Sequence, residues 1–219
     1  MSSKLLILFL STFLLVQSSF GKALTTTVKP DLSDAPETLS IRLLMYVLSE
    51  FSLLADSTLN TGKKLFQDVI ADISAQDYKN EEIPARLDEY SKLVTKIEKL
   101  QTEYSDNSSF TDKFDFMVEL SDLLDKSNAT AIEKPTTVEK LFDESLKKHG
   151  LSHLEQQFED NFETFAKGFN ETAEKALNAV TTEQWPEKNK MQNWLRDLNT
   201  ENDVEKKIEM FEKFFDFIK

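Results

Sequence analysis

Cysteine is absent from the 219-residue sequence, so disulfide bonds, thiolate metal sites and thiol nucleophiles are all excluded. Glycine is scarce, with four residues in the chain, which leaves little provision for tight turns or phosphate-binding loops. Alternating apolar runs bounded by turn residues are also missing, so no stretch predicts a β-strand. These absences favour a chain of helices that is held together by packing alone.

Basic residues are fewer than acidic ones, with 26 Lys+Arg against 39 Asp+Glu and a net charge of −13 at pH 7. Phosphate groups repel an acidic surface of this kind. We therefore expect neither nucleic acid nor an anionic membrane as a partner.

One long apolar run occurs, and it lies at the N-terminus. Lys4 precedes an apolar stretch at 5–16, and the small residues Ser19 and Gly21 provide a cleavage site before Lys22. The run is too short to span a bilayer core of about 30 Å, although a short membrane anchor is the alternative. We predict a signal peptide at 1–21, a flexible leader at 22–33 and a secreted, extracellular chain with no membrane span.

Helical periodicity recurs through most of the remaining chain. It predicts an all-α fold, a multi-helix bundle of about seven or eight amphipathic helices with coiled-coil-like packing. The first helix is predicted to begin at an Asp34 cap and to run to about Ala55, with a turn at 60–62 and a shorter helix after it. A further helix is predicted from about Asn80. Its apolar seam has the heptad spacing of a coiled coil and consists of Ile83, Leu87, Tyr90, Val94, Ile97, Leu100 and Tyr104.

A break at 105–108 precedes a fourth predicted helix, which ends near Lys126. The polar segment 127–135 then predicts a linker between an N-terminal helical region, 34–126, and a C-terminal one, 136–219. The two regions could also form one continuous domain.

Capping signals predict where the later helices begin and end. Thr136 with Glu139 forms a capping-box pattern, and Gly150 predicts a left-handed cap at the end of that helix. Further helix starts are predicted from a capping box at Ser152 and Glu155, from Pro186 and from a Thr200 cap.

Four phenylalanines follow one another at helical spacing and predict a single apolar stripe on one helix. They are Phe158, Phe162, Phe165 and Phe169. Such a stripe must be covered by other helices or by a ligand. The sequence leaves both interpretations open, a core seam of the bundle or a site for an apolar ligand.

Three Asn-x-Ser/Thr triplets are candidate N-glycosylation sites, at Asn107, Asn128 and Asn170. Asn107 and Asn128 lie in polar, turn-like stretches. Asn170 follows a phenylalanine of the stripe and would have to face solvent.

Motifs for enzyme chemistry are missing from the sequence. His149 and His153 are four residues apart, but Gly150 lies between them at a predicted helix boundary, which argues against a shared metal-binding face. No EF-hand loop, nucleotide-binding fingerprint or serine-hydrolase motif occurs. We therefore predict no catalytic residues, no metal, no cofactor and no enzymatic activity.

The 39–43 and 53–57 stretches, followed by Leu65, Phe66 and Ile70, form an apolar pattern in the region from about 34 to 100. This pattern resembles the start of the nematode WSN domain, a family of exported proteins. The resemblance implies helices joined by a turn. The family has no catalytic residues that could be assigned to positions of this chain. In general character the cysteine-free acidic chain is also similar to bundles of the apolipophorin-III type, which implies contact with lipid.

These observations favour a secreted, non-enzymatic helical protein that acts as a protein-interaction or structural module with an unknown protein partner. The alternative function is a carrier of lipid or another apolar ligand in a phenylalanine-rich bundle.

Overall fold

The computed structural model describes residues 36–77, 79–103, 109–211 and 213–217. In chain order the helices are α1 (Pro36–Ser74), α2 (Glu82–Glu103), α3 (Ser109–Lys126), α4 (Thr137–His149), α5 (Leu151–Asn178), α6 (Lys188–Thr200), α7 (Val204–Phe211) and α8 (Phe214–Phe217). The described residues contain no strand, and the predicted all-α multi-helix bundle is confirmed.

Several predictions fall outside the described residues. They are the signal peptide with its cleavage site at Gly21 and Lys22, the leader, the Asp34 cap and the helix break at 105–108.

The described helices divide into two compact units. The first contains Ser52–Phe158, and the second contains α1 up to Phe51 together with the residues from Glu159 onward. The segment 127–135 connects α3 to α4 inside the first unit. A domain boundary at this segment stays a prediction.

Tyr90 organises the core of the first unit. Its ring stacks on Phe66 with 4.0 Å between the ring centroids and meets the Phe142 ring edge-on at 5.4 Å. Its hydroxyl lies 2.8 Å from the Ser127 hydroxyl, so the buried phenol keeps a hydrogen-bond partner. Burial raises the pKa of Tyr90 to about 12. The predicted seam of α2 therefore faces the core here; Leu87 is only half-buried, and Tyr104 lies outside the described residues.

The turn predicted at 60–62 is wrong, because α1 continues through these residues without a break. Gly62 faces Leu120 of α3, and a Cβ atom at position 62 would lie 2.7 Å from a Leu120 methyl carbon. The glycine thus allows α3 to approach closely, rather than ending the helix. Its intrinsic cost of about 1 kcal/mol is small compared with the burial of the apolar side chains on either side of it.

The capping signals around α4 are confirmed. The Thr136 hydroxyl accepts from the Glu139 backbone N–H at 3.2 Å, and the Glu139 carboxylate accepts from the Thr136 N–H at 2.6 Å. Gly150 ends the helix with a φ of 112°, and its N–H donates to the Leu146 carbonyl.

The three later helix starts were predicted at the wrong residues. Ser152 lies inside α5, which begins at Leu151 because the Gly150 carbonyl already accepts from Leu154 at 3.1 Å. Pro186 lies in a turn before α6 rather than in its first turn.

Thr200 is the last residue of α6, and its hydroxyl donates to the Arg196 carbonyl at 3.1 Å instead of capping the next helix. The cap of α7 is Asp203, whose carboxylate accepts from the Lys206 N–H at 3.3 Å. The final helix is also shorter than predicted, since α7 ends at Phe211.

Paired substitutions at Gly62 and Leu120 test the close approach of α1 and α3. Leu120→Ala should lower the free energy of unfolding by about 2–5 kcal/mol through the cavity it leaves. Gly62→Ala alone should destabilise, because overpacking costs about 1–3 kcal/mol and outweighs the gain in helix propensity. In the Leu120→Ala background the same change should instead recover up to about 1 kcal/mol. Denaturant melts of the two single variants and the double variant measure this reversal of sign, and simple additivity would contradict it.

Candidate functional site: the aromatic cluster and the neighbouring polar pocket

The predicted phenylalanine stripe lies on α5, and its side chains are buried. Phe162 and Phe169 have no exposed surface, and Phe158 and Phe165 are each 3% exposed. Phe158 belongs to the first unit, whereas the other three rings belong to the second. The stripe therefore contributes to the interiors of both units.

Phe211 of α7 is the centre of an aromatic cluster in the second unit. Its ring centroid lies 4.9 Å from those of Phe165 and Phe169, 5.6 Å from that of Phe214 and 5.7 Å from that of Trp194. Many of these pairs have the tilted or edge-to-face geometry that the ring quadrupoles favour, which contributes about 0.5–1.5 kcal/mol per pair beyond area burial.

The cluster is extended by rings from α1 and from the end of the chain. Phe51 meets Phe165 edge-on with 4.9 Å between centroids, and Tyr46 lies 6.4 Å from Phe169. Phe217 lies 5.7 Å from Trp194. The rings thus contact one another directly.

Trp194 carries the one indole N–H of the cluster, and that group is paired. Nε1 donates to the Met210 carbonyl at 3.0 Å. The pairing connects α6 to the last turn of α7 and removes the cost of burying an unsatisfied donor. Trp194 and Phe211 lie on different helices, α6 and α7, and no spacing signal in the sequence shows that their apolar faces meet.

A polar pocket of about 360 Å³ also lies in the second unit. It is lined by Glu163, Thr164, Ala166, Lys167, Asn170, Leu198, Asn199 and Lys207. Lys207 is buried, and its ammonium group binds both oxygens of the Glu163 carboxylate at 2.6 and 2.7 Å. The opposite charges are thus mutually neutralised, and no aromatic ring of the cluster lines this pocket.

The described sequons differ in their surroundings. Asn170 is half-buried on α5, where its amide nitrogen donates to Glu174 at 3.2 Å and its amide oxygen has no partner among the described residues. Asn128 lies in the loop after α3. Asn107 lies outside the described residues.

Asp72 and α4 form a polar cluster that the sequence did not reveal. The Asp72 carboxylate accepts from Lys148 at 2.6 Å and from the Ser145 hydroxyl at 3.0 Å, and His149 Nε2 lies 3.2 Å from it. The hydrogen bonds from Lys148 and Ser145 lower the pKa of Asp72 to about 2. His153 is exposed, whereas His149 Nε2 faces Asp72.

This cluster unites a serine, a histidine and an aspartate without the geometry of nucleophilic catalysis. The Ser145 hydroxyl donates to the carboxylate and not to the imidazole, so no good base can take its proton. Ser145 is also 4% exposed, which hides the hydroxyl from a substrate. The arrangement acts instead as a polar contact between α1 and α4.

Within the described residues, no group of three or more His, Cys, Asp or Glu side chains is placed to hold a metal ion. None of the described helices is long and apolar enough to cross a membrane.

The low pKa of Asp72 predicts a loss of stability in acid. Its folded value of about 2 lies below the model-peptide value of 3.8, so its contribution is present above about pH 4 and disappears as the pH falls toward 2. The difference in unfolding free energy between the native chain and Asp72→Asn should therefore be largest near neutral pH and shrink through this window. Denaturant melts from pH 7 to pH 2 measure the difference. Asp115→Asn, at an exposed position of α3, is the control, and a difference that does not change with pH would refute the account.

The chain was compared with known proteins. No protein-family model matches it, and neither a curated protein nor a solved structure is significantly similar to it. The resemblances to the WSN domain and to apolipophorin-III therefore stay predictions.

Proposed function

We propose that the chain is a secreted, non-enzymatic helical protein that acts as a protein-interaction or structural module. The observation that carries this proposal is the aromatic cluster around Phe211. Phe162, Phe169 and Phe214 are fully buried there, and their partners are other rings of the same unit. Side chains that already fill the interior leave the surface as the part of the molecule available for function.

A preformed carrier would need a cavity lined by apolar side chains. The pocket described in the second unit has the opposite character, since Glu163, Lys167, Asn170 and Lys207 contribute charged or amide groups to it. No aromatic ring of the cluster lines this pocket. This observation supports the interpretation of the cluster as a packed core rather than as a lipid site.

The polar clusters also support a non-enzymatic role. Asp72 is a weak base with its pKa near 2, and its serine neighbour is buried. In the pocket, Lys207 and Glu163 neutralise one another. Neither arrangement supplies a nucleophile with an adjacent base that a substrate could reach.

The charge of the chain indicates the kind of partner. With a net charge of −13, long-range attraction favours a protein with a basic surface, and repulsion disfavours phosphate-rich partners. Association of this kind should be fast at low salt and should slow as ionic strength rises.

The alternative function is lipid carriage by helices that open to expose their apolar faces. In that case a lipid would have to replace the ring-to-ring contacts of Phe165 and Phe211 when the second unit opens. A ligand that binds the native state stabilises it, by about 2.7 kcal/mol at a hundredfold excess over Kd.

A ligand challenge separates the two functions. The delipidated native chain should show no saturable rise in Tm with fatty acids, retinol or phospholipid vesicles, because its core is already filled. Phe165→Ala provides a matched positive control, since the cavity it leaves is lined by apolar rings and should admit benzene. Circular dichroism first confirms that both proteins are folded at the temperature where the melts begin, and Trp fluorescence is a second readout.

A saturable rise in Tm of the native chain with any of the three lipids, while the benzene control responds as expected, would make lipid carriage the better account. Changes in Trp194 fluorescence, measured in a Trp185→Phe background at the same ligand concentrations, would locate the binding in the aromatic cluster.

A further inference from the structure

The loop between α3 and α4 is fixed at its base and exposed beyond it. Ser127 is fully buried, and its hydroxyl is held by the Tyr90 hydroxyl at 2.8 Å and by the Arg86 guanidinium at 3.1 Å. Arg86 also donates to the Lys126 carbonyl at 3.2 Å. Three residues after Ser127, Thr130 is exposed. Any group attached just after Ser127 is thus carried by a defined backbone on the surface of the first unit.

Asn128 folds locally into a turn with the threonine of its own sequon. Its amide oxygen accepts from the Thr130 hydroxyl at 2.5 Å and from the Thr130 backbone N–H at 3.2 Å. Its backbone carbonyl accepts from the Ala131 N–H at 3.0 Å. Asn128 is half-buried, and no described residue accepts a hydrogen bond from its amide nitrogen.

The Asn170 sequon has none of these features. Its threonine, Thr172, donates its hydroxyl to the Gly168 carbonyl at 2.8 Å as part of helix α5, and not to the asparagine. The Asn170 amide nitrogen is occupied by Glu174 at 3.2 Å, and its oxygen is buried. Two triplets of the same pattern therefore differ in whether the threonine hydroxyl reaches the amide oxygen and in whether the amide nitrogen already donates to a side chain.

We propose that Asn128 is the acceptor of an N-linked glycan and that Asn170 is not. The donor is a lipid-diphosphate-linked oligosaccharide, supplied with its transferase by the secretory pathway. The amide nitrogen forms a bond to the anomeric carbon of the first sugar and loses a proton to a transferase base. The bond from that carbon to the diphosphate oxygen breaks, and the lipid diphosphate leaves with the electron pair.

The turn at Asn128 suits this transfer because it needs only three consecutive residues. It can form in an unfolded chain, whereas the helix around Asn170 competes with any such turn there. After folding, a glycan at Asn128 extends from an exposed loop and displaces no core side chain. At Asn170 the glycan would share the amide nitrogen with the hydrogen bond to Glu174 and would lie beside a buried amide oxygen.

This inference rests on the export that the proposed function includes, and the experiment separates the two. The full chain is translated in the presence of microsomes, and protease protection reports import. Peptide mass spectrometry before and after digestion with peptide N-glycosidase reports the glycan at each asparagine. A protected chain should carry the glycan at Asn128, with occupancy at Asn170 at least severalfold lower. Loss of protection would overturn export and the glycan together, and a protected chain without glycan at Asn128 would overturn this proposal alone.

Variants make the assignment specific to the turn. Asn128→Gln and Thr130→Ala should remove the glycan at position 128, whereas Thr130→Ser should keep it because serine retains the hydroxyl. Asn170→Gln is the matched control and should leave the glycan at Asn128 unchanged. High occupancy at Asn170 in the native chain, or a glycan at Asn128 that survives Thr130→Ala, contradicts the proposal.

Discussion

The contacts of the Phe211 ring are the interaction on which the second unit depends. Phe211 lies in a helix of eight residues that is too short to be stable by itself in water, yet it is fully buried. Phe165 and Phe169 from α5 and Phe51 from α1 all pack against it. Because three distant parts of the sequence supply these rings, removing one ring weakens several helix contacts at once.

The first unit is built on a different balance of interactions. Tyr90 provides the aromatic centre there, but its hydroxyl also requires Ser127, and Ser127 in turn binds Arg86. A buried polar group of this kind is favourable only when it is fully paired. The same pairing fixes the base of the loop that carries Asn128, which connects the core of this unit to the proposed glycosylation site.

Much of the fold follows from local rules, and several of the exceptions depend on residues that are far away in the sequence. The α4 capping box and the Gly150 cap could be predicted because each depends on residues within a few positions. Gly62 could not be interpreted correctly, because whether a glycine ends a helix or admits a neighbour depends on Leu120, which is far away in the sequence. The Asp72 cluster was missed for the same reason, since Ser145 and Lys148 reach it from another helix. Spacing placed the phenylalanines on one face, but only the structure brings Phe211 into contact with them.

The central claim is that the aromatic cluster is a packed core that holds the second unit together. The most direct test compares the unfolding free energy of the native chain with that of Phe211→Ala and of Met45→Ala, whose side chain is 57% exposed on α1. Phe211→Ala should cost about 3–5 kcal/mol, Phe211→Leu should cost less, and Met45→Ala should stay within about 0.5 kcal/mol of the native chain. A Phe211→Ala protein that loses less than about 1 kcal/mol, and so behaves like the exposed control, would contradict the account.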